Sequence, residues 1–105
     1  MKEQKLFGKR IKELRKQRNL TQEELSEKLG VFQKQIGNIE TGTTFTTMAN
    51  LAKLAEVFDV DIKDLFEFDH QKPREEMVEE INDLMAVSSD EKLKTIYRII
   101  KDITR

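Results

Sequence analysis

Apolar residues in this chain recur three and four positions apart, almost never in strict alternation, so the pattern predicts helices and no strand. Leu6, Phe7, Ile11 and Leu14 form one such stripe among Lys and Arg, giving a first helix from about Gln4 to Gln17. Asn19, a residue that tolerates left-handed backbone, marks its end. Thr21 opens the second helix: its hydroxyl can accept from first-turn amides, and Glu24 can reach back to complete a capping box. Leu25 and Leu29 make the buried stripe, and Gly30 ends the helix where a positive φ costs nothing. Val31 leads straight into a third helix from about Phe32 to Thr41, with Ile36 and Ile39 inward and Gly42 closing it. Thr43 to Thr47 is a loop of hydroxyls around Phe45, and Thr46 or Thr47 caps a fourth helix. That helix has a broad apolar face of Met48, Leu51, Ala52, Leu54, Ala55 and Phe58. Asp61 then caps a short fifth helix carrying Ile62, Leu65 and Phe66.

Residues 67–73 (EFDHQKP) are polar and end in the only proline, which suits the first turn of a new helix. Two amphipathic stretches follow, one with Met77, Val78, Ile81, Leu84 and Met85, the other with Leu93, Ile96, Tyr97, Ile100 and Ile103. Ser88 or Ser89 caps the second. The expected organisation is all-α: a five-helix domain over residues 1–67, a linker over 68–73 and a helical hairpin over 74–105.

Composition narrows the function. A chain of 105 residues has no room for a large cleft. It has no cysteine, and no eighteen-residue apolar run that could span a membrane. The charged start shows no signal peptide, so a soluble cytoplasmic protein is expected. There is no His–carboxylate cluster, metal-ligand set or Gly-rich phosphate loop, so no enzyme, metal or cofactor is expected. His70 stands alone in the linker and is expected to be solvated and inert. The net charge of −1 argues against a nucleic-acid partner, but its distribution does not. Residues 1–18 hold eight Lys or Arg against two Glu, whereas residues 67–105 hold seven basic and ten acidic residues. One end of the chain can therefore present a basic face.

The second and third helices, jointed at Gly30, fit a helix-turn-helix. Such a joint holds one face of the third helix against the protein through Leu25, Ile36 and Ile39 and turns its other face outward. The small Ser26 lets the two helices approach closely. The stretches RIKELRKQRNLTQEELSEKLGV, IGNIETG and LAKLAEVFDVDIKDLF, in that order, resemble the DNA-binding domain of lambda-repressor/Cro-type (XRE family) regulators over residues 6 to about 66. The resemblance implies double-stranded DNA as partner, with Gln33, Lys34 and Asn38 reading bases in the major groove. Gln and Lys suit adenine and guanine edges there. It also implies that Gln22, at a helix N-terminus, grips a phosphate. Phe32, Gln35, Thr43, Thr44, Lys9 and Arg10 would flank or touch the backbone. Three positions depart from the family pattern. Phe32 replaces the usual capping Ser or Thr, and packs either on the second helix or against a thymine methyl. Gly37 lies mid-helix, where it either admits closer DNA approach or relieves crowding. Thr46 replaces a common proline.

One such domain touches few base pairs, so a dimer on a palindromic operator is expected, acting as a repressor. The C-terminal hairpin, through Met77, Ile81, Leu84, Ile96, Tyr97 and Ile100, is the candidate dimerisation element; folding back over the core is the alternative. An antitoxin that holds DNA with one part and a toxin protein with the other is a second function compatible with this layout. An adaptor that contacts only proteins is a third.

Overall fold

The computed structural model describes all residues, Met1–Arg105, and every regular element in it is helical. The order is α1 (Lys2–Gln17), α2 (Gln22–Leu29), α3 (Gln33–Glu40), α4 (Met48–Phe58), a 3₁₀ segment (Ile62–Phe66), α5 (Arg74–Ala86) and α6 (Asp90–Thr104). The chain divides into two compact units, Met1–Gln71 and Lys72–Arg105. The first runs past residue 67 because Phe68 packs against its core.

Start and stop signals explain the brevity of the elements in the first unit. Thr21 accepts from the Glu24 N–H at 3.0 Å, and Glu24 accepts from the Thr21 N–H at 3.0 Å, so the capping box forms. Thr47, rather than Thr46, caps α4 by accepting from Asn50. In the 3₁₀ segment the Asp64 carboxylate accepts from the Asp61 N–H. Four helices end alike, on a left-handed residue: Asn19 after α1, Gly30 after α2, Gly42 after α3 and Asp59 after α4. In each case the next N–H bonds back five residues to a carbonyl that would otherwise be unpaired: Leu20 to Arg15, Val31 to Ser26, Thr43 to Asn38 and Val60 to Ala55. Asp59 in this role has no obvious sequence signal.

The core of the first unit takes Phe7, Ile11 and Leu14 from α1, Leu25 and Leu29 from α2, and Ile36 and Ile39 from α3. Leu51, Leu54, Ala55, Phe58 and Leu65 complete it. The apolar faces are narrower than the sequence suggests. Met48 is 70% exposed, and Ala52, Ile62 and Phe66 are exposed too. Leu51, Leu54, Ala55 and Phe58 form the stripe of α4 that faces the core; Ala52 lies off it, and Met48, at the edge of the stripe, is the first residue of the helix.

In the second unit Ser89 caps α6, and Lys72 pairs with Glu80 at 2.6 Å. Neither α5 nor α6 buries a single residue, and the two are not closely packed on one another. Of the six residues expected to form an interface, Ile81, Leu84, Tyr97 and Ile100 are exposed, while Met77 and Ile96 are half-buried.

Candidate nucleic-acid interface

Helix α3 is held from two sides. It packs on α2 across the Gly30 joint, where φ is 73° and ψ 33°, and equally on α1. The α1 contact is close enough to demand glycine: a Cβ on Gly8 would lie 2.3 Å from the Ile39 carbonyl oxygen and 2.6 Å from that of Glu40. Gly42 makes a similar approach at the end of α3, where a Cβ would lie 2.8 Å from the Lys5 Cα. The Gln4 side-chain amide adds a hydrogen bond to the Gly42 carbonyl at 2.9 Å. The sequence pattern points to the α2 contact only; the α1 contact emerges from the folded chain.

A buried ion pair completes the seat. Arg15 Nε donates to Glu40 Oε2 at 2.7 Å and its Nη2 to Glu40 Oε1 at 3.0 Å, a two-point geometry that fixes orientation as well as distance. Arg15 also donates to the Leu20 carbonyl at 2.8 Å, and Gln22 Nε2 donates to Glu40 Oε1 at 3.1 Å. Hydrogen bonding to Glu40 raises the Arg15 pKa against the opposing effect of burial, so the guanidinium stays charged. Glu40, unremarkable in the sequence, is thereby the meeting point of α1, α2 and α3.

With Ile36, Ile39 and Glu40 turned inward, the remaining positions of α3 face out. Gln33, Lys34 and Gln35 are exposed and Asn38 is half-buried. Lys34, Gln35 and Asn38 share one shallow concave surface with Phe32, Thr44 and Phe45; Gln33 lies outside it. The Thr43 and Thr44 N–H groups both donate to the Asn38 carbonyl, and the Thr43 hydroxyl pairs with that of Thr41 at 2.8 Å. The exposed Thr44 side chain therefore faces solvent while its backbone is already bonded.

Three expectations change in the folded chain. Phe32 is 85% exposed, so it does not pack on α2, and α3 starts without a side-chain cap. Crowding does not explain Gly37, because a Cβ there would meet only the Gln22 amide, at 3.8 Å. His70 is not isolated: its Nε2 lies 2.9 Å from Glu13 Oε2. Burial acts to raise the Glu13 pKa, but hydrogen bonds from His70 and Arg10 outweigh it and hold the carboxyl below its ordinary value.

The cations of α1 and its C-cap Arg18 sort by type. All three arginines are used inside the unit: Arg10 pairs with Glu13 and donates to the Asp64 carbonyl, Arg15 holds Glu40, and Arg18 donates to the Phe58 carbonyl at 2.9 Å. Arg10 is thus committed to its own domain, whereas Lys2, Lys5, Lys9, Lys12 and Lys16 are exposed. Gln22 likewise spends its side-chain amide on Glu40. What it offers an anion is its position at the start of α2, where the first backbone N–H groups have no intrahelical partner.

Residues 8–67 match the family described as a helix-turn-helix domain. An HTH-type transcriptional regulator of Archaeoglobus fulgidus, itself uncharacterised, is 40% identical over 63 residues, covering 60% of this chain and 89% of that protein. Among solved structures, the restriction-modification controller protein C.AhdI of Aeromonas hydrophila superposes with a TM-score of 0.60 at 31% identity, over 62% of this chain and 98% of that one. The SinR protein/SinI protein complex gives a TM-score of 0.58 at 26% identity, over 93% of this chain and 97% of that one. With its outward α3, its Gly30 joint and these relatives, the chain belongs to the helix-turn-helix transcriptional regulators of the lambda-repressor/Cro (XRE) type.

Proposed function

We propose that this regulator is a repressor that reads a palindromic operator as a dimer, laying α3 in the major groove of each half-site. The observation that carries the reading is the division of α3: one face is locked by Ile36, Ile39 and the Arg15–Glu40 pair, the other offers Lys34, Gln35 and Asn38 beside Thr44. Amide and ammonium groups suit base edges, which present donors and acceptors in the major groove. Gln33, at the first position of α3, joins them as a base reader, since the N-terminal residues of a recognition helix meet the bases. The exposed lysines of α1, Lys9 among them, supply sequence-independent attraction to phosphates, as do the start of α2 at Gln22 and the hydroxyls of Thr43 and Thr44.

The dimer is assigned to α5 and α6. Their apolar stripes lack a covering partner within the second unit, and exposed apolar surface of that extent marks an interaction site. The charges favour a second copy. Helix α5 carries Glu75, Glu76, Glu79, Glu80 and Asp83 against Arg74 alone, whereas α6 carries Lys92, Lys94, Arg98 and Lys101 against Asp90, Glu91 and Asp102. Crossing α5 of one copy with α6 of the other sets opposite charges beside a shared apolar seam. A different protein on the same faces is the second reading, and the toxin of an antitoxin pair is one form of it. It is favoured by the match to a complex of two proteins that spans both units of this chain.

Selection of bound duplexes from a random DNA pool tests the whole reading. The expected result is a two-fold symmetric motif with half-sites about 34 Å apart, one helical turn. Affinity should also fall steeply as salt rises. No enrichment, or binding indifferent to salt, would remove DNA as the partner.

A further inference from the structure

Phe32 is the most exposed large apolar side chain in the molecule, at 85%. It occupies the N-cap of α3, with φ −76° and ψ 148°, where Ser, Thr, Asn or Asp would accept a first-turn amide and stabilise the helix. A phenyl ring can do neither that nor hold a phosphate. It is outside the set of residues packed on the core, and outside the close ring pairs Phe7–Phe45 and Phe7–Phe66. The free protein therefore gains nothing visible from this ring and forgoes a cap.

Its position suggests a use. Phe32 lies at the start of the recognition helix and borders the concave surface that holds Lys34, Gln35, Asn38 and Thr44. Those four neighbours present hydrogen-bonding groups; the ring offers only apolar contact, as does Phe45 on the same surface, whose ring is already paired with Phe7. Among the base edges of the major groove, one apolar group is on display: the C5-methyl of thymine. We propose that Phe32 is a specificity-determining residue that packs on the C5-methyl of a thymine in each half-site, beside the bases met by the first turn of α3. The proposal rests on the DNA-binding reading above and names one feature of the sequence that is read.

Methyl deletion in the DNA tests it on the full chain. Each thymine of a selected site is replaced in turn by deoxyuridine, which removes the methyl and leaves every hydrogen-bonding group in place. One thymine per half-site should then cost about fourfold in affinity, the worth of one buried carbon, with the others nearly silent. Phe32→Ala, a change at an exposed position, should bind the thymine and deoxyuridine sites equally, and both about as weakly as the native chain binds deoxyuridine. Placing 5-methylcytosine opposite guanine at that pair, against plain cytosine, separates the two carriers of the methyl. Recovery with 5-methylcytosine shows the methyl read whichever base bears it; recovery with thymine alone shows adjoining groups reading the rest of the pair as well. If every deoxyuridine site binds like its parent, or Phe32→Ala keeps the methyl dependence, the proposal is overturned while DNA binding stands. If the native chain shows no salt-dependent DNA affinity at all, both readings fall together.

Discussion

Glu40→Ala isolates what holds the recognition helix in place. Its carboxylate is 3% exposed and the facing Arg15 side chain 10%, so the pair is shielded from the screening that makes surface ion pairs weak. Removing Glu40 deletes both contacts with Arg15, at 2.7 and 3.0 Å, and the 3.1 Å bond from Gln22. The guanidinium then keeps only the Leu20 carbonyl, and a buried charge with no counter-charge costs about 3–5 kcal/mol. A unit of this length holds roughly 4–10 kcal/mol in total, so much of its stability is at stake. The expected fall in Tm is about 12–40 °C, at 4–8 °C for each kcal/mol in a small domain. Replacing both partners with apolar residues of similar volume, Arg15→Met with Glu40→Leu, should recover most of the loss, because no buried charge is then stranded. Thermal and urea unfolding of the two single variants and the double variant give the coupling directly. If Glu40→Ala costs less than about 1 kcal/mol, the pair is behaving as a solvated one, and α3 is seated by apolar contacts alone.

Gly8→Ala would force a Cβ to within 2.3 Å of a backbone oxygen of α3, so α1 and α3 must part. Urea unfolding should show a loss of about 1–3 kcal/mol or more. Gly37→Ala meets only ordinary contact at 3.8 Å, and should raise stability by about 0.5–1 kcal/mol in the same assay. A loss instead would mean that α3 needs the glycine for its own backbone. Acid should destabilise the first unit. Glu13 and Glu24 are both held below the ordinary carboxyl value of 4.5, so the unfolded chain takes up protons first as pH falls. Stability present above about pH 4.5 is then lost as pH drops through the folded values, and Glu13→Gln should flatten that slope in urea titrations at pH 3–6. Tyr97→Asp with Ile100→Asp puts charge on the open face of α6 and should yield monomer by light scattering. A species of unchanged mass would move the dimer interface elsewhere.

Much of the architecture is legible locally, for a physical reason. Helix starts and stops depend on residues a few positions apart, so Thr21 with Glu24, the left-handed Gly30 and Asn19, and the stripes of α1 to α3 can be read from spacing alone. The outward set Lys34, Gln35 and Asn38 follows from the same periodicity once Ile36 and Ile39 are assigned inward. Contacts between residues far apart in the chain leave no such trace. Nothing in the local sequence couples Arg15 to Glu40 twenty-five residues on, or Glu13 to His70 fifty-seven residues on. Nor does it tell Gly8, pressed against the backbone of α3, from a glycine merely tolerated in a helix. Arginine and lysine look alike in a charge count, yet the fold ties Arg10, Arg15 and Arg18 to carbonyls and carboxylates of their own unit, because the guanidinium fork can satisfy groups that a lysine cannot span. The sequence by itself determined which helices form and which face of α3 is polar. The tertiary structure alone decided which charges are spent inside and which remain on the surface, since that depends on where each helix end lands on its neighbours.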